Sequence, residues 1–162
     1  MVELLDTHQH LIYRNKASYT WTNDIPQLTK DDFKIENYKS ITESFNLRGT
    51  LFMETGVDDS DYQNETHFVR SLMDDSRNNI KGLITSIRPE ENRSFDKWLD
   101  ETISMGVSGY RRILHEMPDD TSQSTTFRNN VKKIGLSDRS FDMCYLQNQL
   151  SIAKDLAEVC DD

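Results

Sequence analysis

Two histidines separated by one residue are the strongest candidates for chemistry in this sequence. His8 and His10 flank Gln9, directly after an apolar run over residues 2–6. Side chains alternate between faces along a strand, so both imidazoles should point to one side, at the strand end where parallel α/β folds carry their sites. Two neutral imidazoles make half of a site for Zn²⁺ or a similar divalent ion. Such a pair also occurs as plain polar surface, so both interpretations stay open. We expect Asp6 to share the face of the histidines and to orient one of them.

A second group of candidates lies at the ends of later strands. Glu54 closes the run FMET, where it is either a loop-entry carboxylate or a site residue. In SGYRRILH, alternation puts Arg111 and His115 on one face, and Tyr110 packs on the other. An arginine fork suits a carboxylate or an oxyanion.

Several other residues are expected to have structural or surface roles, and one is a candidate pocket wall. Arg112 is expected to be exposed at a helix–sheet margin. Trp21, in the loop after the histidine pair, could form the wall of a pocket, whereas Trp98 has the spacing of a core residue. His67 is interpreted as a solvated helix residue. Cys144 and Cys160 form no CxxC motif and are interpreted as plain thiols in a reducing compartment.

Apolar runs alternate with helical patterns along the whole chain. A helix start is predicted at Thr29 with Asp31 and Asp32, because such side chains cap a helix N-terminus. The predicted strands cover residues 2–6, 49–55, 80–87, 107–114 and 140–146. The predicted helices contain residues 35–45, 68–73, 95–105, 127–134 and 150–159.

This alternation predicts an α/β protein with a parallel sheet covered by helices. Two architectures fit: a doubly wound open sheet, or part of a (β/α)₈ TIM barrel. A complete barrel typically needs ~250 residues, and the chain has 162. It is therefore expected to form about five β/α units, as a single domain over residues 1–162.

The charge balance excludes several partners. The sequence has 19 Lys and Arg against 28 Asp and Glu, a formal net charge of −9. It has no basic cluster, which argues against nucleic acid and against an anionic membrane surface. No apolar stretch approaches a membrane span, and the N-terminus lacks the pattern of a secretory signal. A cytoplasmic protein acting on a small molecule is expected.

Several blocks, in order, resemble one enzyme family. They are LLDTHQHL at residues 4–11, the sequence Tyr-Thr-Trp at 19–21, GVSGYRRIL at 106–114, Gly-Leu at 135–136, SFDMC at 140–144 and Gln-Leu at 149–150. Together they resemble the amidohydrolase-2 group of metal-dependent TIM-barrel hydrolases, in the branch with sugar-acid and pyrone dicarboxylate lactonases. The resemblance runs over nearly the whole chain.

The resemblance implies a hydrolase in which activated water attacks a lactone carbonyl. It implies that His8 and His10 hold or border a divalent metal, with Zn²⁺ favoured, although some relatives need no metal. It implies that Arg111 and His115 line the substrate pocket, and from their positions in the sequence Glu54 and Trp21 are expected to contact the substrate as well. The family's later histidine and its catalytic aspartate are not in this sequence, so the chain matches the N-terminal part of such an enzyme and leaves the catalytic residues unknown.

Two other functions are weighed against this one. The chain could be a non-catalytic remnant or a binding subunit of the same fold. A small nucleotide-binding or response-regulator domain fits less well, because DTHQH stands where a glycine-rich phosphate loop would be expected. Open sheet edges also predict a chain that is marginally stable or self-associates.

Overall fold

A computed structural model describes residues 2–160, and the chain divides between Thr85 and Ser86 into two compact units. The first unit contains β1 (Glu3–Gln9), α1 (Ile35–Thr42), β2 (Asn46–Met53), α2 (Tyr62–Met73) and β3 (Ile80–Ser86), which ends at the boundary. The second contains α3 (Phe95–Met105), β4 (Gly109–Ile113), α4 (Thr125–Leu136), β5 (Ser140–Cys144) and α5 (Leu150–Cys160). The predicted alternation of strands and helices is confirmed.

The strands of the first unit run parallel, with β1 beside β2 and β2 beside β3. The register of β1 shifts by one residue between Asp6, which lies opposite Thr50, and Gln9, which lies opposite Phe52. This bulge breaks the simple alternation of side chains. The Asp6 carboxylate accepts a 2.6 Å hydrogen bond from the hydroxyl of Tyr38 on α1. The other oxygen of the Asp6 carboxylate accepts a 3.0 Å hydrogen bond from the backbone N–H of His8. Asp6 therefore contacts both a helix and one of the two histidines, and its role in orienting a histidine side chain stays a prediction.

The strands of the second unit, β4 and β5, are parallel and in unbroken register from Gly109 opposite Ser140 to Ile113 opposite Cys144. Their helices cover a core made of Leu114, Phe127, Val131 and Leu156. Tyr110 is fully buried, as its face of β4 predicted, and its hydroxyl lies 2.7 Å from the hydroxyl of Thr102.

The bounds of three elements test the predictions from the sequence directly. The third helix ends at Met105 as predicted, with Gly106 in the left-handed conformation (φ 77°) that a glycine adopts without strain. The second strand begins earlier than predicted, at Asn46, and ends at Met53. The first strand continues beyond the predicted apolar run as far as Gln9, so that His8 lies inside it.

The helix start predicted at Thr29, Asp31 and Asp32 is wrong. The backbone of Phe33 pairs with that of Ile12 in an antiparallel bridge, which holds this stretch extended. The carboxylate of Asp32 accepts a hydrogen bond from the Arg14 backbone N–H instead of capping a helix. The first helix begins only at Ile35.

Arg112 is the clearest error among the side chains. It is buried, not exposed, and its Nη2 lies 2.6 Å from Oε1 of Glu90. An arginine at a sheet margin can be buried when an acidic partner neutralises it, and residue spacing alone did not reveal the partner. Trp98 is buried and His67 is exposed, as predicted.

Candidate functional site

His8 and His10 converge at the carboxyl end of β1. Their Nε2 atoms lie 3.0 Å apart, and their ring planes are inclined by 77°. The Nδ1 atom of His10 lies 3.0 Å from the backbone carbonyl oxygen of Met53, at the end of β2. A carbonyl oxygen only accepts hydrogen bonds, so Nδ1 of His10 carries the proton and its Nε2 presents a lone pair towards His8.

This arrangement fits one half of a metal site. Two nitrogens that bind one tetrahedral Zn²⁺ at ~2.0–2.1 Å are about 3.3 Å apart, within a few tenths of the separation observed here. The hydrogen bond from Nδ1 to a backbone carbonyl is the usual way in which a metal-binding histidine is oriented. Among residues 2–160, no group of three or more His, Cys, Asp or Glu side chains is placed to hold an ion.

The end of β2 gathers two further predicted site residues. Glu54 is buried, and its Oε2 accepts a 2.9 Å hydrogen bond from the backbone N–H of Gly56. Gly56 has a φ of 67°, a left-handed backbone conformation that glycine adopts without strain. The indole N–H of Trp21 donates to the carbonyl oxygen of Thr55 over 3.0 Å. His8, His10, Glu54 and Trp21 are thus all linked to the segment 53–56 or to one another.

The loop that carries Trp21 is held in place by acidic side chains from the loop after β2. Asp58 accepts from both the backbone N–H and the hydroxyl of Thr20, at 3.0 and 2.7 Å. Asp61 accepts from the backbone N–H of Ser18 at 2.8 Å. Burial raises the pKa of the neighbouring Tyr19 to about 12, so its phenol stays protonated. These contacts position an indole that remains partly exposed, which suits a pocket wall.

The second unit holds the other two predicted site residues. Arg111 lies on β4 and His115 follows that strand. Nη2 of Arg111 is 3.1 Å from Sγ of Cys144, and Nδ1 of His115 is 3.4 Å from the same sulfur. The two predicted residues therefore meet at a cysteine, the last residue of β5.

Two residues of these clusters were not identified from the sequence. Glu65 is buried on α2 and accepts a 3.1 Å hydrogen bond from the backbone N–H of Thr55. It lies on the buried stripe with Tyr62, Thr66 and Val69, so a charged residue at an apolar helix position was the available signal. Cys144 had no such signal, because its partners come from another strand.

The chain is similar in fold to several solved structures of amidohydrolases. An amidohydrolase from Burkholderia multivorans, solved with bound HEPES, superposes with a TM-score of 0.81 at 16% identity over 99% of this chain and 54% of its own. A second structure of an amidohydrolase from that organism, with bound Zn, gives 0.77 at 14% identity over 99% and 55%. A probable 2-pyrone-4,6-dicarboxylic acid hydrolase from Acinetobacter baumannii, solved with citric acid, gives 0.61 at 12% identity over 85% and 47%.

These matches define the class of fold: the chain is an α/β protein with five β/α units of a (β/α)₈ TIM barrel among its described residues. It spans about half the length of the amidohydrolases that it matches. The resemblance read from the sequence thus agrees with the fold of solved amidohydrolases. No family model matches the sequence, and no curated protein matches it.

No helix within residues 2–160 has the length and apolar character that crossing a bilayer requires.

Proposed function

We propose that this chain belongs to a hydrolase of the amidohydrolase type, which opens a small sugar-acid or dicarboxylate-type lactone by attack of water on the carbonyl. The observation that carries the proposal is the convergence of the two Nε2 atoms of His8 and His10, 3.0 Å apart, at a strand end. Supporting it are the shared fold with solved amidohydrolases and the Zn bound in one of them. Because the chain spans about half of those structures, the complete reaction is proposed for the whole protein.

His8 and His10 would hold the divalent ion, for which Zn²⁺ is the candidate. When bound, such an ion supplies a polarised carbonyl and a water that loses its proton more readily. The backbone carbonyl of Met53 keeps the imidazole of His10 in the tautomer that leaves Nε2 available.

The other predicted residues would contact the substrate. The guanidinium of Arg111 suits a carboxylate of a sugar acid or dicarboxylate, and His115 can donate a hydrogen bond to a lactone oxygen. Glu54 adds a buried acceptor, and Trp21 adds an apolar wall. Both cysteines are free thiols, which supports a cytoplasmic protein.

Zinc titration calorimetry on the 162-residue chain tests the metal site, with His8→Ala, His10→Ala and the exposed His67→Ala as a matched control. We expect each of the first two variants to weaken Zn²⁺ binding by about tenfold or more, and His67→Ala to leave it unchanged. Equal binding by all four proteins would overturn the assignment of the metal site.

Hydrolysis is tested separately, by following acid release from sugar-acid lactones and pyrone dicarboxylate. We expect the whole protein to which this chain belongs to turn over one of these lactones in a reaction that requires His8 and His10, and the 162-residue chain alone to show little turnover. Zinc binding by the whole protein without turnover of any of these lactones would contradict the proposed reaction and favour a non-catalytic binding protein of the same fold. Full turnover by the 162-residue chain alone would contradict the assignment of the reaction to the whole protein.

A further inference from the structure

A cysteine, a histidine and an arginine meet at the carboxyl ends of β4 and β5. The sulfur of Cys144 has Nη2 of Arg111 at 3.1 Å and Nδ1 of His115 at 3.4 Å. Nε2 of His115, on the other side of the ring, lies 3.8 Å from a carboxylate oxygen of Glu116. The cluster is partly exposed, so small molecules can reach it.

The backbone fixes these side chains next to one another. The N–H groups of Leu114 and His115 both donate to the carbonyl oxygen of Cys144, over 3.0 and 3.1 Å. The register places Ile113 opposite Cys144. The imidazole and the thiol are therefore carried by strand ends that are hydrogen-bonded to each other, and they need no loop movement to meet.

The direction of the hydrogen bonds follows from the chemistry of the partners. A guanidinium has donors only, so Arg111 donates to the sulfur, which must accept. The thiol proton is then directed to Nδ1 of His115, within reach of a sulfur donor. A nucleophile beside a base that is in turn faced by a third group is the arrangement found in covalent catalysis.

We propose that Cys144 is the nucleophile of a thiol centre, with His115 as proton acceptor and Arg111 as the cation that attracts an electrophile carrying a carboxylate. In the reaction, the thiol proton passes to Nδ1 of His115 and a sulfur lone pair forms the new S–C bond. The leaving group departs with the electrons of the bond that breaks. The positive charge of Arg111 stabilises the negative charge that develops on sulfur. This inference does not rest on the proposed lactone hydrolysis.

Cys160 provides the internal comparison. It lies at the end of α5, packed against the apolar core of Leu114, Phe127, Val131 and Leu156. Burial raises the pKa of the Cys160 thiol more than the nearby charges of Lys132 and Arg128 lower it, and the raised pKa lowers its reactivity. One chain thus carries a thiol in contact with a guanidinium and an imidazole, and a thiol packed against an apolar cluster.

The test is alkylation of the native 162-residue chain with iodoacetate and with iodoacetamide, two probes that both lose iodide and differ in charge. Peptide mass spectrometry follows each cysteine. We expect Cys144 to react about tenfold faster than Cys160. We also expect the rate ratio of iodoacetate to iodoacetamide at Cys144 to exceed, by about tenfold, the ratio measured for the same cysteine in concentrated urea.

Variants then separate the two partners. Arg111→Gln should lower the iodoacetate to iodoacetamide ratio, and Arg111→Lys, which keeps the charge, should retain most of it. His115→Gln should slow both probes alike. The exposed Arg93→Gln and His67→Gln serve as controls and should change neither quantity.

The alkylation rates of the wild-type chain can overturn the proposal by themselves, so the test remains valid even if a variant fails to fold. Equal rates at Cys144 and Cys160 in the native chain would do so. A charge ratio at Cys144 that is the same in native and unfolded chain would also refute the role of Arg111. Fast alkylation that His115→Gln leaves unchanged, in a variant that retains its circular dichroism, would refute the role of His115.

Discussion

Arg112 and Glu90 form an ion pair in which Nη2 and Oε1 lie 2.6 Å apart, with only 8% of the arginine side chain exposed. A cation buried to this degree needs its partner, because removing one member leaves the other charge in a poorly solvating environment. The pair ties β4 to the segment that precedes α3.

Glu90→Gln should therefore destabilise the chain by about 2–3 kcal/mol in urea unfolding, below the upper end for fully buried pairs because Glu90 is partly exposed. Replacing both members, with Glu90→Leu and Arg112→Met, should recover most of the loss. Glu158→Gln breaks the exposed pair between Lys154 and Glu158 and should cost under about 0.5 kcal/mol. An equally small effect of Glu90→Gln would show that the buried pair contributes little.

Asp32 should make the stability of the chain depend on pH. Its hydrogen bond from the Arg14 backbone, with help from Lys34, lowers the pKa of the Asp32 carboxyl below its usual value. The ionised form therefore stabilises the fold above the pKa of the unfolded state, and this contribution is lost as the pH falls through the folded-state pKa.

Asp32→Asn should cost about 1 kcal/mol in urea unfolding at neutral pH. The difference from wild type should shrink towards zero in strong acid, where both side chains are neutral. Asp31→Asn, at an exposed neighbouring position, is the matched control and should show no such pH-dependent difference. A constant difference for Asp32→Asn across the pH range would mean that the charge of Asp32 does not stabilise the fold.

The exposed apolar residues of β1 predict self-association. β1 is the end strand of the first unit's sheet, and Leu5 on it is 52% exposed. An end strand with unpaired backbone groups and apolar side chains tends to pair with another chain. We expect sedimentation velocity to show species larger than a monomer, and Leu5→Lys to shift the distribution towards monomer. Ile41→Lys, on the exposed side of α1, should leave the distribution unchanged. A monomer at all concentrations would contradict this prediction.

Phe127 should be essential to the core of the second unit. Its side chain is fully buried, and its ring packs edge-on against Phe141, with centroids 6.0 Å apart. Phe127→Ala should cost about 3–5 kcal/mol, because it removes a buried ring and leaves a cavity. Leu136→Ala, at the exposed end of the same helix, should change stability by less than about 0.5 kcal/mol in the same urea titration. Similar losses for the two variants would show that this core is not closely packed.

The strand and helix order could be derived from the sequence because it depends on local periodicity. The spacing of Phe95, Trp98 and Leu99 marks one helix face, and Gly106 marks its end, so α3 was predicted to the residue. Strand alternation likewise placed Tyr110 in the core. Where a tertiary contact replaced local preference, the prediction failed: the bridge between Ile12 and Phe33 holds extended a segment whose acidic residues predicted a helix start.

In the candidate site, too, some features follow from local sequence and others depend on tertiary contacts. From the sequence alone, His8 and His10, with one residue between them, are predicted to share a face near a strand end, and their Nε2 atoms do converge there. Only the tertiary structure decided that Asp6 turns to Tyr38 and that Cys144 meets His115. The members of each contact are about 30 residues apart in the chain, so local residue spacing could not reveal either of them.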